Sequence, residues 1–233
     1  MSRTARIVIP NVPHHVTQRG NNREDVFFVD DDRRAYLQLL AEHASEFRLD
    51  ILAWCLMTNH VHLVVVPRDA ASLARAIGRT DFLYTQRINR RDGREGHLWR
   101  NRFYSCALDE KHAVAAVRYV ERNPVRARIV RQPWDYPWSS ARAHVSGKDS
   151  FGLLDLDAWL REWPAKTWRD MLRTDLDEIQ TEQMRRSTRL GRPLGSDAFV
   201  ARIEKLIGRA VRSRAAGRPA LSAKSPHPER GKL

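Results

Sequence analysis

The chain has 233 residues, enough for one medium domain plus an extension, and it can bury a core without disulfides. It carries 41 Lys and Arg against 28 Asp and Glu, a net charge of +13, which directs attention to a polyanionic partner, nucleic acid first and an anionic membrane surface second. Its two cysteines, Cys55 and Cys106, sit in apolar, strand-like runs, so they give neither a disulfide framework nor a metal spacing and fit a reducing compartment.

The start, Met1 to Arg6 followed by an apolar stretch broken by Pro10 and Pro13, does not read as a signal peptide. The apolar run Leu63 to Val66 is far too short to span a bilayer. His14 to Gln18 alternates as a first strand, and Arg19-Gly20-Asn21-Asn22-Arg23 forms a basic turn. Asp30 to Asp32 cap a helix whose Tyr36, Leu39, Leu40, His43 and Phe47 recur at helical spacing. Leu49–Met57 and His60–Val66 are two β-rich runs around Thr58-Asn59, a hairpin. A helix with Leu73, Ile77, Tyr84 and Ile88 on one side and Arg75, Arg79, Arg87, Arg90 and Arg91 on the other ends at Asp92-Gly93. His97–Leu108 reads as a strand, with Arg100 and Arg102 on one face and Trp99 and Phe103 on the other. Lys111–Asn123 reads as a helix stopped by Pro124. Beyond about Val130, Trp134 to Ser140 is a loop into a short helix, with helical patterns near 155–162, 166–187 and 196–208. The stretch 209–233 is basic, poor in large apolar residues and expected to be disordered. The predicted organisation is an α+β domain over 1–145, a helical accessory region over 146–208 and a basic tail.

Two features carry chemistry. His60 and His62 share one face of their strand, because side chains alternate along it. Two imidazoles side by side are either a two-point metal clamp or residues of a solvated sheet face. Tyr119 and Asn123 are four apart on a helix. A phenol so placed can attack phosphorus, and the amide oxygen of Asn123 is a third donor for an ion held by the histidines. Otherwise Tyr119 is a packed ring with a wet hydroxyl. Pro124 weakens the helical placement of Asn123.

The runs Met57-Thr58-Asn59-His60-Val61-His62-Leu63-Val64, Gly96 to Phe103 and Arg118-Tyr119-Val120-Glu121-Arg122-Asn123-Pro124-Val125-Arg126-Ala127 occur in that order, with His15 to Arg23 before them and Tyr136-Pro137-Trp138-Ser139-Ser140 after. Together they resemble the REP-associated tyrosine transposases, relatives of the single-tyrosine insertion-sequence transposases. The likeness covers about 5–145 and extends loosely to Gly191–Ser196. It implies a central antiparallel sheet flanked by helices, related to the ferredoxin-like arrangement. It also implies a nucleophile at Tyr119 and a divalent ion, Mg²⁺ or Mn²⁺, held by His60, His62 and Asn123. The implied reaction is cleavage and rejoining of single-stranded DNA at hairpins formed by short palindromic repeats, in the bacterial cytoplasm with the nucleoid, by a monomer or a homodimer. Arg19, Arg23, Arg100, Arg102 and Arg122 are the candidate DNA contacts, with the arginine face from Arg75 to Arg91 and the Gly-Arg-Pro motifs at 191–193 and 217–219 in support. A hairpin-binding repressor without cleavage is the competing class. An amidohydrolase-type metal site, which also uses His-x-His, lacks correctly placed further ligands, and the motif around Arg118 to Ala127 favours a transposase over a relaxase.

Overall fold

The computed structural model describes residues 6–211. Four strands, β1 (His14–Arg19), β2 (Leu49–Met57), β3 (His60–Pro67) and β4 (Tyr104–Ala107), form one antiparallel sheet in the order β2-β3-β1-β4. The two-residue turn Thr58-Asn59 fixes the hairpin register at Met57 opposite His60, and so sets Cys55 opposite His62. In β1, Thr17 pairs with His62 and Arg19 with His60. One face of the sheet therefore carries His15, Thr17, Arg19, Cys55, His60, His62, Tyr104 and Cys106.

The opposite face, with Val16, Leu63 and Val65, packs on α1 (Asp30–Glu46) and α2 (Ser72–Asp92). Rings of Phe27, Tyr36, Tyr84 and Trp99 meet edge-on or tilted between these helices. The histidine face is covered by α3 (Glu110–Glu121) and, over β4 and β1, by α8 (Glu178–Leu190). Between them in sequence lie α4 (Asn123–Arg126), α5 (Ala141–Ser146), α6 (Leu156–Glu162) and α7 (Ala165–Arg173), and α9 (Asp197–Ile207) follows. Isolated bridges cover part of both sheet edges. Cys55 and Ile51 of β2 bridge to Ser139 and Leu154, and Leu108, just after β4, bridges to Leu194. Trp168, Leu172 and Met184 of the C-terminal helices join the main core.

Three local expectations change. The stretch 97–108 is a strand only at Tyr104–Ala107. Before that the chain makes a single bridge, Trp99 to Gly20, and bends away, because the Trp99 ring enters the α1/α2 core, where its Nε1 donates to the Asp81 carbonyl 3.2 Å away. Pro124 does not stop the helical path. It sits in the first turn of α4, where its missing N–H is not needed, and α4 follows α3 after Arg122 alone. The pattern over 166–187 is two helices, since Asp177 caps a fresh start by accepting from the Ile179 amide. Of the basic tail, 212–233 lies outside the described residues.

Candidate active site

Tyr119 comes down from α3 onto the histidine face. Its ring lies 5.6 Å from His62 and 5.6 Å from His15, edge-on to both. His60 and His62 rings are 5.0 Å apart. Tyr119 and His62 are buried and His60 is half-buried. Burial and the nearby Arg126 cation push the histidines down, His15 to about 3 and His60 to about 4, where Arg19 also contributes. His62 is lowered well below the ordinary value for the same reason, its histidine neighbours and Arg19 adding to the effect. All three are therefore neutral near pH 7, the form that binds metal.

The histidines are also oriented. His60 Nδ1 is 2.6 Å from Asn59 Oδ1, an acceptor, so His60 carries its proton on Nδ1. His62 Nδ1 is 3.1 Å from His15 Nε2. No protein hydrogen bond among the described residues uses Nε2 of His60 or His62. Asn123 is buried and its Nδ2 has no partner. Oxygen and nitrogen of a carboxamide exchange by a half-turn, so this unpartnered end serves equally as an oxygen donor. Among the described residues no three His, Cys, Asp or Glu side chains form a metal-binding group. Two neutral imidazoles and a buried amide are nevertheless donor types that a divalent ion accepts.

Two arginines, absent from the expected set, attend Tyr119. Arg126 stacks on the Tyr119 ring with its guanidinium carbon 3.9 Å from the centroid and donates to the Tyr119 carbonyl at 2.9 Å. Its Nε and Nη2 are buried without partners, and burial lowers its pKa. Arg185 of α8 donates from Nε to the Tyr119 hydroxyl at 3.3 Å. Arg126 follows Tyr119 by seven residues, a helical repeat readable in the sequence. Nothing in sequence spacing connects Arg185 to Tyr119, and His15 lay in the matched run near the start without a role.

The expected DNA contacts divide. Arg19 is exposed on the histidine face and Arg23 is exposed in the turn beside it. That turn is tight: a Cβ on Gly20 would meet the Glu24 carbonyl at 2.2 Å, and Asn22 and Arg23 adopt φ of 50° and 66°. Arg100 and Arg102 are exposed. Arg122 is a correction. It is buried, with its guanidinium donating to the Leu172 carbonyl and the Asp175 carboxylate, so it ties α3 to the end of α7 and does not face solvent. The arginines of α2 lie across the sheet from the histidines, and Arg91 is paired with Asp32 and Asp92. Arg192, from Gly191-Arg192-Pro193, joins Arg6, Arg102 and Arg189 around a recess of about 510 Å³ beside Tyr104, with no carboxylate among the described residues of its wall. The motif at 217–219 lies outside the described residues.

Residues 9–123 match the family model described as IS200-like transposases. The chain is similar to the REP-associated tyrosine transposases within that range of proteins. A Haemophilus influenzae protein assigned by name to that group is 26% identical over 144 residues, 55% of this chain and 80% of the relative. A solved structure of a REP-associated tyrosine transposase bound to a REP hairpin matches with a TM-score of 0.52 at 22% identity, over 65% of this chain and 90% of that one, a likeness of fold. No helix among the described residues is long and apolar enough to cross a membrane.

Proposed function

We propose that this protein cleaves and rejoins single-stranded DNA at palindromic-repeat hairpins, with Tyr119 as nucleophile. The observation that carries the reading is the meeting of the Tyr119 ring with His62, 5.6 Å apart on the sheet face that also bears His60. The Tyr119 oxygen uses a lone pair to form a bond to phosphorus, and the bond from phosphorus to O3′ breaks. The phenolic proton passes to solvent, O3′ takes a proton from solvent and leaves as a hydroxyl, and the protein holds a 5′-phosphotyrosine. A 3′ hydroxyl reverses the step, which conserves the phosphoester and needs no nucleotide cofactor. Arg185, donating to the phenolic oxygen, favours its anionic form during attack, and Arg126 adds positive charge at the ring. His60, His62 and Asn123 would hold the ion, Mg²⁺ or Mn²⁺, which supplies charge neutralisation at the non-bridging oxygens of the scissile phosphate. The hairpin as substrate is supported by the solved relative, which is bound to one.

The test incubates the protein with a labelled hairpin oligonucleotide and Mn²⁺ or Mg²⁺, followed by a denaturing gel. A slow-migrating covalent species is expected. His60→Ala should reduce it by about 100-fold or more while hairpin affinity changes less than about threefold, because ligands act on the chemical step and the phosphates are gripped elsewhere. Equal adduct yield from His60→Ala would remove the histidine pair from the reaction. One observation favours a binding protein without cleavage: Tyr119 is only 4% exposed. Absence of any adduct from wild type with intact hairpin binding selects that reading.

The recess of Arg6, Arg102, Arg189 and Arg192, with the exposed Tyr104 ring at its edge, suits a single-stranded phosphate backbone with a base stacked on the tyrosine. Arg102→Ala with Arg192→Ala should weaken binding of a single-stranded oligonucleotide about tenfold. The slope of log affinity against log salt should fall by about 1.4, the value for two lost single-strand phosphate contacts. An unchanged slope in a fluorescence-anisotropy titration would place the strand elsewhere.

A further inference from the structure

The segment that matches the family model ends at residue 123, yet α8, over fifty residues later, reaches the histidine face. Thr188 Oγ1 lies 2.7 Å from His15 Nδ1, and His15 Nε2 lies 3.1 Å from His62 Nδ1. Thr188 Oγ1 is also 3.2 Å from Cys106 Sγ. His15, Thr188 and Cys106 are each 1% exposed, so this chain of contacts is sealed from water.

We propose that Thr188 and His15 are positioning residues that fix the tautomer of His62, so that α8 decides whether His62 presents a bare Nε2 to the cation. The proposal rests on the reading of His60 and His62 as cation ligands. A neutral imidazole has one N–H and one lone pair. Between His15 Nε2 and His62 Nδ1, one nitrogen must therefore donate and the other accept. If His62 donates, its Nε2 is unprotonated and can bind a metal. His15 then carries its own proton on Nδ1 and donates it to Thr188 Oγ1, whose hydroxyl proton turns to Cys106 Sγ. If the pattern reverses, Thr188 donates to His15 Nδ1, His15 donates from Nε2, and His62 carries its proton on Nε2, where it blocks ligation. The first pattern needs an acceptor at His15 Nδ1, which the Thr188 hydroxyl supplies while Cys106 Sγ receives its proton, so the ion-competent tautomer depends on that hydroxyl.

Removal of that hydroxyl breaks the balance. With Val at 188, the first pattern would leave a buried N–H on His15 without an acceptor. The second leaves only a bare lone pair there, which costs less. Thr188→Val should therefore drive the proton of His15 to Nε2 and that of His62 to Nε2, although Thr188 is not itself one of the residues that would hold the ion. A residue that merely packs α8 on the sheet would not move a proton on β3.

The measurement is a long-range ¹⁵N–¹H correlation of the histidine side chains in the metal-free full-length protein, together with Mn²⁺ titration by calorimetry. In wild type, His62 should show a protonated Nδ1 and a bare Nε2. Thr188→Val should reverse the two and weaken Mn²⁺ binding by about tenfold or more, the usual effect of removing a group that orients a ligand. Thr188→Ser should restore both. If Thr188→Val does not fold, Thr188→Ala takes its place, and the wild-type spectrum is decisive without any variant. A proton on His62 Nε2 in wild type overturns the proposal, and so does an unchanged His62 spectrum in the folded Val variant. If the tautomers shift as stated but wild type binds no Mn²⁺, the cation reading fails and the relay stands.

Discussion

Tyr119→Phe yields no covalent protein–DNA species, with a loss of at least about 10⁴-fold in adduct formation, while hairpin binding stays within about threefold of wild type. The substitution deletes one oxygen and retains the ring that packs edge-on against His15 and His62 and under Arg126. Only Arg185 loses a hydrogen-bond partner, and its guanidinium is partly solvated. The protein therefore folds as before, and a change in activity reports on chemistry alone. The readout is a denaturing gel of labelled hairpin beside a native gel for binding. A covalent species of wild-type abundance in the Phe variant would move the nucleophile off α3 and remove the basis of the proposed reaction.

The second large effect is on stability. Glu121 lies two residues beyond Tyr119 and is 0% exposed. Its Oε1 accepts from Ser140 Oγ at 2.5 Å and from His144 Nδ1 at 2.6 Å, and its Oε2 accepts from Trp168 Nε1 at 2.8 Å. One carboxylate thus binds α3 to the loop after β2's bridging partner, to α5 and to α7. The Trp159 ring stacks on His144 at 4.4 Å and closes the site against water. Glu121→Ala leaves a hydroxyl, an imidazole and an indole N–H without their acceptor inside a dry core. The cost should be about 3–5 kcal/mol, the range for removing one member of a buried polar network. It is measured by urea unfolding, with a lower midpoint and an unchanged slope. Glu121→Gln should cost less, because one oxygen acceptor survives, but the new amide N–H₂ still meets a donor. A midpoint equal to wild type in the Ala variant would show that the C-terminal helices are not anchored through this residue.

The same two residues show how far the sequence reaches. Period-two alternation put His60 and His62 on one face, and the two-residue turn fixed the strand register, so the histidine pair was legible from local geometry. Tyr119 and Asn123 were likewise legible as a helix pair, even though the helical path continues past Pro124. Glu121 and Arg122 stand in the same run, and nothing local distinguishes them from outward-facing charges. Their partners are 19 to 53 residues away, so their burial became visible only when α5 and α7 packed on α3. For Arg122 that packing turned an expected DNA contact into a structural tie.

By itself, the sequence determined the α+β class, the strand and helix types around the histidine pair, and which residues are proposed to attack phosphorus or bind a metal, because each depends on spacing along a few consecutive residues. Only the tertiary structure decided that His15 of β1 joins His62 of β3, that Arg126 and Arg185 attend the phenol, and that Thr188 closes the chain from α8. Those contacts depend on the order of strands in the sheet and on which helix covers which face. Both are set by the burial of apolar surface over the whole chain, and no short window of residues encodes them.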